Sequence, residues 1–108
     1  METFALLYPL REPLTPESAR VFASAGRPPV QAAATKLLNT TAFTKGNAVI
    51  RVFQLDGNLE DAIQHLMYLT EVHNLGRQLA DILAPGCDLS SPEGLRRFFE
   101  TQLMTRIL

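Results

Sequence analysis

The sequence predicts an α+β domain, and three observations carry that prediction. Residues Lys36–Gly57, KLLNTTAFTKGNAVIRVFQLDG, read as two strands joined by a tight turn. Thr15-Pro16-Glu17 and Ser91-Pro92-Glu93 each spell a helix start: an N-cap, a proline at the first helical position and an acid in the first turn. Between them Leu59, Ile63, Leu66 and Met67 recur at helical spacing.

At 108 residues the chain makes a single domain, residues 1–108. A chain this size buries roughly two-thirds of its unfolded surface, enough for one core. Its net charge is −1, so nucleic acid and anionic membrane are poor candidate partners. One cysteine, Cys87, excludes an internal disulfide and a thiolate metal cluster. There is no basic start followed by a long apolar run, and no stretch long enough to span a bilayer, so a cytoplasmic location is expected.

In chain order, Glu2–Leu10 predicts a first strand, apolar on both faces and ended by Pro9. A helix follows from Thr15 to about Ala25, with Gly26 as its C-cap; Arg27-Pro28-Pro29 forbids its continuation. Val30–Thr35 fits either a short helical turn or a loop along the sheet edge. The hairpin comes next, Leu37–Thr44 and Asn47–Leu55, with Lys45-Gly46 as its turn. That register sets Thr44 opposite Asn47, Thr40 opposite Arg51 and Asn39 opposite Val52. One face then carries Leu37, Asn39, Thr41, Phe43, Ile50, Val52 and Gln54; the other carries Leu38, Thr40, Ala42, Val49, Arg51, Phe53 and Leu55. Both are mostly apolar, where a half-exposed antiparallel sheet would alternate cleanly, so both are expected to be covered.

Asn58 caps the next helix, whose apolar stripe changes phase near Thr70; a kink or break there is the simplest cause. The second piece ends at Ala84-Pro85-Gly86. A last helix runs from Pro92 to about Gln102; Met104–Leu108 either extends it or forms a short fourth strand, and its alternation favours the strand. Collapsing the later helices into one layer gives a ferredoxin-like βαββαβ order with an extra C-terminal helix. Two such sheets packed face to face form a dimeric α+β barrel, which would cover the second apolar face in a homodimer.

The runs TKLLNTTAFTKG and VIRVFQLDGNL resemble the central hairpin of the SchA/CurD-like domain family. Tyr8-Pro9, His65-Leu66, the DLSSPEG run from Asp88 to Gly94, Phe98-Phe99 and Met104 follow in the order of that family. Where the family pattern has a proline after the His-Leu helix, this chain has Thr70-Glu71. The resemblance implies an accessory protein of aromatic polyketide biosynthesis, including spore-pigment clusters. It places such proteins beside small cyclases and cofactor-free oxygenases.

Arg51 sits mid-strand on a mostly apolar face and needs a partner once covered. It suits an enolate or phenolate oxygen of a poly-β-keto chain, a structural salt bridge at an interface, or a side chain reaching water past the sheet. Thr40, opposite it in the predicted register, joins it as a candidate binding group. Asn39, Thr41 and Gln54 lie on the other face among Phe43, Ile50 and Val52, as polar groups of an apolar pocket or of a dimer interface. His65 and His73 are the candidates for general base work, set against a surface reading, because helix geometry turns both from the apolar stripe. Tyr8 offers a hydrogen bond or proton at the sheet, or simply packs. Cys87 has no visible partner to lower its pKa and reads as inert. Asp56-Gly57-Asn58 is a turn and cap, since the other calcium-loop ligands are missing. No phosphate loop, zinc spacing, flavin or dinucleotide fingerprint is present, so no cofactor or metal is expected. Two functions fit. One is a cofactor-independent cyclase or monooxygenase acting on a poly-β-keto or polycyclic aromatic intermediate. The other is a non-catalytic dimeric module that binds such an intermediate or docks on a polyketide synthase or tailoring enzyme.

Overall fold

The computed structural model describes residues 2–24, 31, 32 and 35–108. Its elements are β1 (Glu2–Pro9), α1 (Pro16–Ser24), β2 (Gln31–Ala32), β3 (Thr35–Lys45), β4 (Ala48–Asp56), α2 (Leu59–Leu66), α3 (Thr70–Leu79) and α4 (Pro92–Gln102). The strands form an antiparallel sheet in the order β1-β4-β3-β2, and β2 contributes only Gln31 and Ala32, opposite Lys36 and Thr35. The expected C-cap Gly26, the Arg27-Pro28-Pro29 stop and Val30 lie outside the described residues.

The hairpin forms, with a corrected turn. Lys45 pairs with Ala48, so the turn residues are Gly46 and Asn47, not Lys45 and Gly46. A two-residue hairpin turn wants positive φ at its centre, which lysine resists. Moving the turn one residue on puts Gly46 there, at φ 58°. Pairing therefore shifts by two: Thr44 faces Val49, Ala42 faces Arg51 and Thr40 faces Phe53. A two-residue shift preserves the face of every side chain. A bulge between Leu37 and Asn39 then breaks the alternation. It sets Leu37 opposite Leu55 and turns it to the Arg51 face, the reverse of the sequence expectation.

The helices cover that Arg51 face. Leu6, Leu10 and Val49 of the sheet pack there with Ile63, Leu79 and Phe98 of the helical layer, all buried. The opposite face gets no such cover from the described residues: Ala5, Leu7, Ile50 and Val52 belong to neither core cluster, and Phe43 is 65% exposed.

The helix starts follow their caps. Ser18 donates its N–H to Thr15 Oγ1 at 3.1 Å, and Thr15 donates its own to Ser18 Oγ at 2.8 Å, a reciprocal box. Asn58 Oδ1 accepts from Glu60 N–H and Asp61 N–H. Ser91 Oγ accepts from Gly94 N–H at 3.0 Å. The predicted break falls between Leu66 and Thr70, without the proline of the family pattern. The fourth strand is not formed: residues 104–108 have no regular structure. The chain meets the free edge of β1 only at a Leu6–Leu103 bridge and a bond from Met104 N–H to the Ala5 carbonyl, 2.8 Å. The sequence alternates there, but the last residues turn their apolar side chains to solvent, Ile107 at 94% exposure, and gain no packing that would hold a strand. No helix among the described residues is long and apolar enough to cross a membrane.

Asp88 organises the approach to α4. Its Oδ1 accepts from Ser90 N–H at 2.8 Å and from the Ser90 hydroxyl, and its Oδ2 accepts from the Ser91 hydroxyl at 3.0 Å. The Ser90 hydroxyl foremost, then its backbone N–H, holds the carboxyl below the ordinary aspartate range. A carboxylate with a depressed folded value stabilises the fold above its unfolded pKa of about 4, and that contribution is lost as pH falls through the folded value. Asp88→Asn should therefore be less stable than the wild type at neutral pH. The gap should close below about pH 4. Chemical denaturation at pH 7 and pH 3 checks this; an equal gap at both would count against the carboxylate. The group is largely exposed, so the effect is modest.

Candidate functional site

Arg51 stands in the middle of β4 on the helix-covered face, with Leu6 on one side and Ala42 on the other. Its Nε donates to Thr40 Oγ1 at 2.9 Å. Thr40 is its diagonal neighbour across the hairpin, within reach of a long side chain. The Arg51 guanidinium lies near enough to the Tyr8 hydroxyl to favour its ionised form by charge and hydrogen bonding. Tyr8 is half-buried as a residue, but its phenol end is enclosed, with the Phe22 ring edge-on at 5.5 Å and Phe98 tilted at 5.1 Å. Burial pushes the phenol above its ordinary pKa; the charge and hydrogen bond of Arg51 offset this only in part. Tyr8 is thus a neutral donor at physiological pH.

Two spaces meet at this cluster. An open groove of about 520 Å³ runs between β3 and α1, walled by Leu14, Ala19 and Phe22 on one side and by Asn39–Thr44 on the other. Behind it lies a pocket of about 70 Å³ between sheet and helices, lined by Tyr8 and by apolar side chains of β1, β3, β4, α2 and α4. Thr40 and Arg51 line both. A cation and a neutral phenol at the junction of an apolar groove are suited to an anionic or enolic oxygen on a flat, apolar ligand.

The structure therefore brings Tyr8, Thr40 and Arg51 together and sets Asn39 and Thr41 along the groove. Gln54 lies elsewhere, on the uncovered face opposite Asn39, where its Nε2 donates to Thr3 Oγ1 at 3.4 Å. Neither histidine lines the groove or the inner pocket. His65 is half-buried in the last turn of α2. His73 Nε2 donates to the Met67 carbonyl at 2.5 Å, satisfying an acceptor freed where α2 breaks. Cys87 is a half-buried free thiol whose pKa burial raises. Among the described residues no group of three or more His, Cys, Asp or Glu could hold a metal.

Residues 1–108, the full sequence, match the family described as SchA/CurD like domain. The chain belongs to the SchA/CurD-like family. This SchA/CurD-like chain is 29% identical over 104 residues to the 42.8 kDa protein in the whiE locus of Streptomyces coelicolor, covering 95% of this chain and 26% of that protein. It is 34% identical over 73 residues to polyketide synthase CurD of Streptomyces cyaneus, 68% of this chain and 20% of that one. It is 32% identical over 65 residues to protein SchA of Streptomyces halstedii, 60% of this chain and 17% of that one. The SchA/CurD-like chain thus spans about a sixth to a quarter of the length of these curated relatives. No solved structure gives a significant match.

Sequence reasoning about this SchA/CurD-like domain missed Phe22 and Ala62. Phe22 was legible only as part of a helix stripe, yet its ring walls the groove and touches Tyr8. Ala62 carried one usable signal, a small residue on the sheet-facing side of a helix otherwise lined with Leu and Ile.

Proposed function

We propose that this domain serves aromatic polyketide biosynthesis by binding a poly-β-keto or polycyclic aromatic intermediate in the groove between α1 and β3, and by directing its ring closure without a cofactor. The observation that carries this reading is the Tyr8–Thr40–Arg51 cluster at the inner end of a groove large enough for a small polycyclic ligand. Arg51 would stabilise the enolate or phenolate oxygen that develops as a ring closes, and the neutral Tyr8 phenol would donate to the same oxygen. The name of one relative, polyketide synthase CurD, supports the setting. A monooxygenase acting on a polycyclic product would use the same groove.

The test is reconstitution. Purified domain is added to a minimal aromatic polyketide synthase and the products are compared with and without it. A changed ratio of cyclised products supports catalysis. Unchanged products with retained binding of a dihydroxyanthraquinone would leave a non-catalytic binding and docking module. That second reading is favoured by one observation: among the described residues Tyr8 and Arg51 are the only ionisable ones lining the groove and inner pocket, and neither is a histidine or carboxylate base.

The strand order and the Leu103 contact with β1 support a ferredoxin-like arrangement whose fourth strand is reduced to a bridge. The uncovered face supports a homodimer that packs two sheets into an α+β barrel. Its centre, Leu7, Ile50, Val52 and Phe43, bears no charge, so a second copy fits it without burying an unpaired ion. The wild type should show twice the 12.0 kDa chain mass in light scattering at micromolar concentration. The double variant Ile50→Asp, Val52→Asp should be monomeric. A monomeric wild type would remove the barrel.

A further inference from the structure

We propose that the inner pocket is a subsite for the short alkyl end of the ligand, a terminus of two or three carbons that enters past the hydrogen-bonded Arg51–Thr40 pair. The inference rests on the groove being the ligand's seat, as proposed above, and it names which part of the ligand goes deepest.

The pocket has a polar mouth and an apolar floor. Arg51 and Thr40 are shared with the groove, so they mark where the two spaces adjoin. Leu55, Leu59, Ala62, Leu66 and Phe99 form the far walls, with Leu55 and Ala62 at 1% and 2% exposure. Those far walls offer a water molecule no hydrogen-bond partner, so an alkyl group reaching them displaces no tightly held water there. The size sets the limit. A water's share of liquid is roughly 30 Å³, so the 70 Å³ available takes about two or three heavy atoms and not an aromatic ring. A ligand that fits both spaces has its rings in the groove, an oxygen at Arg51 and Tyr8, and a methyl, ethyl or propyl group beyond.

Ala62 makes the space. It lies on the sheet-facing side of α2 between Leu59 and Leu66, where a leucine would add three carbons and fill the pocket. Ala62 is therefore the residue that sets which chain length is accepted.

The experiment titrates the full 108-residue domain with dihydroxyanthraquinone and its methyl, ethyl, propyl and hexyl derivatives, read by fluorescence quenching. Affinity should rise about fourfold per added carbon over the first two or three. It should then fall for hexyl. In Ala62→Leu the alkylated and unsubstituted compounds should bind alike. Because that variant adds bulk to a packed site, Leu66→Ala is the second arm: by enlarging the floor it should move the optimum to a longer chain. Equal affinity across the series in the wild type would overturn the subsite and leave the groove reading intact. So would an optimum that Leu66→Ala does not move. Failure of even the unsubstituted compound to bind would overturn both.

Discussion

Gly76→Ala should lower the melting temperature by roughly 8 °C or more, although alanine is the better helix former. The two effects oppose each other and differ in size. Replacing a helical glycine by alanine gains about 1 kcal/mol of helix propensity. At Gly76, however, an added Cβ would lie 2.4 Å from the Leu89 carbonyl carbon and oxygen and 2.7 Å from Ser90 N. Those are backbone atoms, and no side chain can swing away to make room. Overpacking of this kind costs about 3 kcal/mol, and more when backbone must move. A domain of this size loses about 4 °C per kcal/mol. The same segment is pinned from the other side by Gly94, whose Cβ would meet the Asp88 carbonyl oxygen at 2.3 Å, so residues 88–90 have nowhere to retreat. Gly46→Ala is the control. It meets open space, and its φ of 58° costs only about 1–2 kcal/mol. Thermal unfolding followed by circular dichroism decides the matter. A Gly76→Ala melting temperature equal to or above that of the wild type would show that α3 and the 88–90 segment do not pack this closely.

Arg51→Met should weaken binding of an ionised polyhydroxy aromatic by about 10–100-fold while leaving the fold intact. A charge-assisted hydrogen bond contributes roughly 1.5–3 kcal/mol, and each 1.4 kcal/mol is tenfold in affinity. Methionine keeps most of the bulk between Leu6 and Ala42, so the loss reports charge and not a cavity. The loss should be large above the ligand's phenolic pKa and small below it, because only the anion meets the guanidinium. The substitution has a second readout within the protein. Arg51 supplies the two influences that pull the Tyr8 phenol down against burial, so without it the Tyr8 titration should move further up. Spectrophotometric titration of tyrosinate measures that shift. A folded Arg51→Met domain that binds the anion as the wild type does would remove Arg51 from the site.

The parts of the fold legible in the sequence are those set by local chemistry. Three helix starts follow from Thr15, Asn58 and Ser91, because a cap is written in a few consecutive residues. Strand faces were legible from alternation and survived a misplaced turn, since Gly46 satisfies a tight turn from either central position and the error shifted pairing by two. The bulge was not legible, because Leu37 and Leu38 are alike and either suits the inner face. The C-terminal strand was misread for a related reason: alternation states what a segment would do beside a partner, not whether packing holds it there.

The candidate site divides along the same line. Arg51 stood out as a charge in an apolar strand. Thr40 was paired with it through an incorrect register, and the two meet nonetheless as diagonal neighbours. His65 and His73 were chosen for residue type alone, and type does not encode distance from a groove. Phe22 and Ala62 needed the packing of helices on the sheet, which no window of sequence contains.

The bulge in β3 makes chain length at one point dispensable. Leu38 is the surplus residue there, and without it Leu37 would follow the ordinary pleat into its present place opposite Leu55. A relative lacking that position would keep the same floor under the inner pocket and the same rim along the groove. Gaps between 36 and 39 in an aligned set of these domains would then be silent, whereas gaps a few positions later would scramble every side chain the groove depends on.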